Sequence, residues 1–179
     1  MKGVNIAEYT TAQRLIYENS QNKGYCVFLS HKKEDKKAAI AVGQYLTDVV
    51  GVNIYLDIND AELQEATREA NDKKIVERIK KGLNVSTHLL CLISESTKLS
   101  WWVPYEIGLA DAKEKNIASI KLKGIEDVPS YLKIHKTVYN VEEFLRYASK
   151  LEPLAVYFES SNFQKLLNSD ISQLKLYFD

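Results

Sequence analysis

The run Ser100-Trp101-Trp102-Val103-Pro104-Tyr105-Glu106 sets two indoles, a proline and a carboxylate side by side. On a helix under way by Trp102, Trp102 and Glu106 stand four residues apart and share a face. An aromatic group beside a fixed carboxylate can hold a ring and place negative charge against a developing cation. A plainer role fits the same residues: the tryptophans in the core and Glu106 complementing the helix macrodipole. Composition leaves both open.

A second group is Ser30-His31-Lys32-Lys33-Glu34-Asp35. A hydroxyl, an imidazole and two ammonium groups just ahead of a helix N-terminus suit an anion or phosphate. The glycines of a phosphate-binding loop are missing, so a solvated polar turn with Asp35 as helix cap competes with that reading. A third group, Asp57-Ile58-Asn59-Asp60, opens a polar stretch from Ile58 to Asp72. Connections of that length serve as lids or interaction surfaces, or simply decorate the surface. Ser94-Glu95-Ser96 ends a further strand-like run.

Other chemistries lack their residues. No G-x-S-x-G occurs, which removes the hydrolase elbow. No Walker motif or G-x-G-x-x-G occurs, so kinase, GTPase and dehydrogenase readings have no support. His31, His88 and His135 are scattered, and Cys26 and Cys91 show no zinc spacing, so no metal site is expected.

The elements that must position these groups alternate along the chain. Tyr25–Ser30 is a continuous apolar run, as in a strand covered on both faces. Ala38, Val42, Tyr45, Leu46 and Val49 follow at helical spacing, and Gly51 stops that helix. Val52–Asp57 reads as a second strand. Ile75, Val76, Ile79 and Leu83 make a helix closed by Gly82 or Asn84. Thr87–Ile93 is a third strand, Trp101–Lys115 holds a third helix, and Ile117–Leu122 is a fourth strand. Thr137–Val141 is a fifth, followed by an amphipathic helix from Glu142 to Lys150. Strand–helix alternation predicts a parallel sheet, and residues 24–150 are expected to form one flavodoxin-like α/β domain. Ligands of such sheets bind beyond the carboxyl ends of the strands, where all the groups above fall. Ile6, Tyr9, Ala12, Leu15 and Ile16 predict an N-terminal helical extension over 1–23. Leu154-Val156-Phe158 and Leu174-Leu176-Phe178 predict a C-terminal extension, 151–179, packed on the domain.

The chain has 179 residues, with 24 Lys plus Arg against 24 Asp plus Glu and a formal net charge of zero. Phosphate neutralisation has no charge surplus to draw on, so no nucleic-acid partner is expected. No apolar run approaches the ~20 residues of a membrane span, and the N-terminus lacks the apolar stretch of a secretory signal. No membrane partner and a cytoplasmic location are expected. Cys26 and Cys91 lie in apolar runs and are expected as buried thiols of a reducing compartment.

Three segments together resemble a known family. Val27-Phe28-Leu29-Ser30-His31-Lys32-Lys33-Glu34-Asp35 is similar to the first box of TIR (Toll/interleukin-1 receptor) domains. Asn53-Ile54-Tyr55-Leu56-Asp57-Ile58-Asn59-Asp60 looks like their second strand and the start of the BB loop. Ser100–Gly108 resembles the tryptophan-to-glutamate motif of bacterial TIR proteins. The resemblance runs from Tyr25 to Lys150. It implies a five-stranded parallel sheet and cleavage of NAD between nicotinamide and ribose, with cyclisation of the remaining ADP-ribose in some members. NAD is then a substrate, and no cofactor is implied.

The family's catalytic glutamate maps onto Glu106. The implied substrate-binding residues are Ser30, His31, Lys32, Lys33, Asp57 and Trp102. A small chain of this kind resembles the TIR proteins of the Thoeris antiphage system. That likeness implies homo-oligomers through TIR–TIR contacts, a phage-derived trigger and a separate effector reached through a small molecule. Two other functions stay open on the residues: a non-catalytic homotypic interaction module, and a nucleoside deoxyribosyltransferase-like enzyme.

Overall fold

The computed structural model describes residues 2–20, 24–57, 72–151 and 155–179, without side chains over 155–160. The loop expected from Ile58 to Asp72 lies outside the described residues over 58–71, as do the side chains of Leu154, Val156 and Phe158. Five short strands make one sheet: β1 Cys26–Ser30, β2 Asn53–Tyr55, β3 His88–Ile93, β4 Asn116–Lys121 and β5 Lys136–Val138. Their order is β2-β1-β3-β4-β5, and every neighbouring pair is parallel. This is the doubly wound, flavodoxin-like order that the strand–helix alternation predicts.

Side chains alternate across the sheet, and each face builds its own core. Val27, Leu29, Leu90, Leu92 and Ile120 pack with α2 Lys36–Tyr45, α6 Val141–Ser149 and α7 Ala155–Leu167. Cys26, Phe28, Leu89, Cys91 and Ile93 pack with α3 Asp72–Val85 and α5 Trp102–Ala112. A one-turn helix, α4 Glu95–Lys98, lies between β3 and α5 and escaped the periodicity because it is too short to show any.

The helix stop at Gly51 is as expected. After α2 the chain widens into a π turn, Leu46–Val50, and Gly51 takes the left-handed conformation at φ 84°. Gly82 differs from expectation. It does not close a helix, because α3 runs on to Val85. A β-carbon there would stand 2.6 Å from the rings of Phe28 and Tyr55, which stack in parallel beneath it. At Gly82 the helix lies directly on these two rings.

The N-terminal extension also departs from one continuous helical face. Ile6 belongs to a separate 3-10 turn, Ile6–Glu8, and is fully buried. Thr10 then starts α1 Thr11–Asn19 through a capping box with Gln13. The break rotates the pattern, so Leu15 and Ile16 are 52% and 73% exposed. Ahead of the turn, residues 3–5 run along the outer side of β2: Ile54 N–H donates to Val4 O at 2.9 Å, and Asn5 bridges Ile54 in parallel. Gly3 is required there, since a β-carbon would fall 1.9 Å from the carbonyl oxygen of Val52.

At the other end, Leu174 and Phe178 are buried, and Phe178 meets Phe144 edge-on at 5.6 Å. Leu176 points out. Tyr45 and Ser169 share a hydroxyl hydrogen bond of 2.8 Å that joins α2 to this segment.

Candidate functional site

Alternation along β1 puts Ser30 on the face of Cys26 and Phe28, and along β3 it puts Cys91 with Leu89 and Ile93. That is the face α5 covers. Ser30 and Cys91 are register partners at the carboxyl end of the sheet. Ser30 is fully buried, and its hydroxyl donates to Oε2 of Glu106 at 2.5 Å. The first and second sequence groups thus meet directly, although 76 residues separate them.

α5 is built to hold that carboxyl in place. The Ser100 hydroxyl accepts from Val103 N–H at 3.2 Å, which satisfies one free donor of the first turn. Pro104 lies in the same turn, where its missing N–H costs nothing. Val103, Ile107 and Ala110 are buried. Glu106 stands on the flank of that stripe and is half-buried. Burial pushes its carboxyl up to about 7, against the Ser30 hydrogen bond, which favours the ionised form. The Cys91 thiol is pushed upward chiefly by burial and next by the Glu106 carboxylate, with Ser30 opposing. It stays neutral and does not compete with Glu106 for charge.

Trp102 shares the flank with Glu106, as the spacing predicts. It is half-buried against the second core and meets Tyr105 edge-on at 6.0 Å. Trp101 is not core: it is 92% exposed. Leu99 beside it is 81% exposed.

The loop after β1 carries His31, Lys32 and Lys33. His31 Nδ1–H donates to the carbonyl of Leu29 at 3.1 Å. Burial lowers the pKa of the ring, against that bond and the nearby Asp35, so the imidazole is neutral near pH 7. Lys32 precedes a 3-10 turn, Lys33–Asp35, and is half-buried; Lys33 is exposed.

Asp35 is not the cap of α2 that the plainer reading required, for its side chain makes no capping bond there. Its carboxylate instead accepts from Ser94 Oγ at 2.5 Å. Ser94 also caps α4, accepting from Thr97 N–H at 3.2 Å. Sequence reasoning missed this tie; its only local trace is the Ser94-x-x-Thr97 spacing.

Asp57 follows β2. The register that sets Phe28 opposite Tyr55, carried two residues on, puts Asp57 level with Ser30. Arg78 of α3 pairs with it at 3.4 Å. That guanidinium was not among the expected site residues, since nothing in its helical context marks it. The site therefore gathers Ser30 and Glu106 in contact, Trp102 on the same helix, three residues of one loop and Asp57 at the next strand end. Among the described residues, no three His, Cys, Asp or Glu side chains stand together as metal ligands, and no helix is long and apolar enough to cross a membrane.

Known proteins resemble the chain. A protein of Bacillus cereus (strain MSX-D12) named "Probable 3' cyclic ADP-D-ribose synthase ThsB'" is 26% identical over 149 residues, which is 80% of this chain and 71% of that protein. The crystal structure of the TIR domain of the Toll-related receptor TRR-2 from Hydra magnipapillata is 14% identical, with a TM-score of 0.48, over 79% of this chain and 98% of that one. The family model described as "Thoeris protein ThsB, TIR-like domain" matches residues 28–127, more than half of the chain, and takes in Ser30, Asp57, Trp102 and Glu106. With the five-stranded parallel sheet beneath that match, the chain belongs to the TIR-like domain family of the Thoeris protein ThsB.

Proposed function

We propose that this chain cleaves NAD at the nicotinamide–ribose bond and closes the remaining ADP-ribose into a ring. The observation that carries the reading is the 2.5 Å contact between the Ser30 hydroxyl and the Glu106 carboxyl at the carboxyl end of the sheet. The name of the Bacillus cereus relative supports a cyclic product and makes a 3'-linked ring the first isomer to look for.

Nicotinamide leaves NAD as a neutral base: the bond from ribose C1 to the ring nitrogen breaks and the electron pair stays on nitrogen. No general acid is needed. The site must stabilise the oxocarbenium-like ribose, as in glycoside cleavage. Ionised Glu106 supplies that charge, and Ser30 fixes its direction. A hydroxyl of the adenosine ribose then forms the new bond to C1 and gives its proton to Glu106. A group with a pKa of about 7 is matched to accept it at neutral pH. Attack by water at the same carbon yields linear ADP-ribose instead. Trp102 walls the ribose, Lys32 and Lys33 meet the diphosphate, and His31, neutral, offers Nε2 as an acceptor. Asp57 borders the site across from Ser30.

Assembly of copies through TIR–TIR contacts, a phage-derived trigger and an effector answering the diffusible product complete the proposal. So does a cytoplasmic location, which the two free thiols Cys26 and Cys91 support. The test is incubation with NAD and mass spectrometry of the products. Nicotinamide together with a species lighter than ADP-ribose by one water supports the reading, and Glu106→Gln should abolish both. Intact NAD under crowded, assembled conditions overturns it. That outcome would favour the non-catalytic contact module, for which the exposed apolar rim of Leu99 and Trp101 speaks.

A further inference from the structure

Asn5 uses its whole side-chain amide. Its Oδ1 accepts from the backbone N–H of Leu56 at 3.0 Å and of Ala7 at 3.2 Å. Its Nδ2 donates to the carbonyl of Leu56 at 2.9 Å and to Oε1 of Glu8 at 3.2 Å. Two accepted and two donated bonds are all that such an amide can make. Turning the amide over would set N–H against N–H at Leu56, so the network fixes its orientation.

Through this amide Asn5 pairs with Leu56 as a neighbouring strand would, one residue beyond the end of β2. Each residue of β2 is held from the same side. Asn53 Oδ1 accepts from Val4 N–H at 3.1 Å, Ile54 N–H donates to Val4 O at 2.9 Å, and the Arg14 guanidinium lies 5.8 Å from the ring centre of Tyr55. Leu56 is the last residue before Asp57, whose carboxylate meets Arg78 level with Ser30. The N-terminal segment lies outside the region matched to the family, 28–127. It supports an edge-strand terminus that would otherwise fray.

We propose that Asn5 is a positioning residue for the NAD site, acting through both backbone groups of Leu56 to set where Asp57 leaves the sheet. The role in turnover rests on the NAD-cleaving reading above; the role in holding Asp57 does not.

The test uses the 179-residue chain with Asn5→Ala, Asn5→Asp and Thr10→Ala. The last removes the capping box of α1 and loosens the N-terminal segment while leaving Asn5 and its bonds to Leu56 in place. Amide hydrogen exchange at Leu56 and Asp57, melting temperature, and KM and kcat for nicotinamide release are read on each. Asn5→Ala should speed exchange at Leu56 by ~10-fold or more and raise KM for NAD by roughly 3–10-fold, as a misplaced binding wall does. Asn5→Asp keeps the accepted bonds and loses the donated ones, so it should fall between alanine and wild type. Thr10→Ala should lower the melting temperature and leave KM alone.

Wild-type KM and kcat in Asn5→Ala, with exchange at Leu56 accelerated, overturns the proposal. So does a rise in KM for Thr10→Ala as large as for Asn5→Ala, since general loosening would then explain both. If Asn5→Ala does not fold, Asn5→Asp carries the same comparison against Thr10→Ala. A wild type that releases no nicotinamide defeats the functional reading instead. Exchange at Asp57 then decides alone: faster in the Asn5 variants upholds the positioning role, and unchanged overturns it.

Discussion

The Ser94 hydroxyl donates to the Asp35 carboxylate at 2.5 Å and so binds the loop after β3 to the loop after β1. The second loop carries His31, Lys32 and Lys33. Ser94→Ala removes a bond to a charged group and a helix cap together, and should cost about 2–3 kcal/mol of stability. With the tie gone, KM for NAD should rise more than kcat falls, because Glu106 and Ser30 are untouched. Thermal melts and steady-state kinetics on one preparation check both halves; an unchanged KM would detach this tie from substrate binding.

Nicotinamide release should follow ionisation of Glu106. The carboxylate is the working form, so kcat/KM should climb with pH and level off above about 7. Ser30→Ala removes the hydrogen bond that favours the charged form, so it should move that rise to higher pH and slow the reaction. A rate that instead falls through neutral pH would make Glu106 an acid and reverse its assigned role.

Glu106→Gln should stabilise the fold above neutral pH. The carboxyl is raised from its ordinary 4.5 to about 7, so the native state holds the proton more tightly than the unfolded chain does. Stability is then greatest below 4.5, declines as pH rises to about 7, and is flat beyond. The amide can still accept from Ser30 and carries no charge to desolvate. At alkaline pH the variant should gain about 1–3 kcal/mol over wild type, and near pH 4 the gap should close. A variant less stable than wild type at high pH would mean that the Glu106 charge is well compensated.

Cys26 and Cys91 should resist thiol reagents in the native protein. Both are fully buried, and burial pushes the Cys26 thiol up to about 12 and Cys91 further. Two thiols should titrate at once on denaturation without reductant. Rapid labelling of either before unfolding would contradict the packing.

The sheet was legible because buried parallel strands read as unbroken apolar runs, and Tyr25–Ser30 and Thr87–Ile93 are such runs. The helix face shared by Trp102 and Glu106 followed from spacing alone. What could not be read were contacts between distant segments. Asp35 looked like a helix cap because local sequence shows the helix that follows and not Ser94. Gly82 looked like a stop because sequence does not show the rings of Phe28 and Tyr55 beneath it. The exposure of Trp101 and the partial burial of Trp102 hang on where the helix begins, which adjacent indoles do not reveal. The partnership of Asn5 with Leu56 spans 51 residues and leaves no pattern at all.

The parallel segment laid along β2 also governs how this sheet can grow. An unpaired strand edge is a template on which a second chain can add its own strand. Residues 3–5 occupy that template on the β2 side, and Gly3 packs so closely on Val52 that nothing else fits between. Among the described strands, the other margin is β5, three residues long and beginning with an exposed lysine, Lys136. Addition of a second chain's strand directly onto β2 is therefore a route closed by the first few residues.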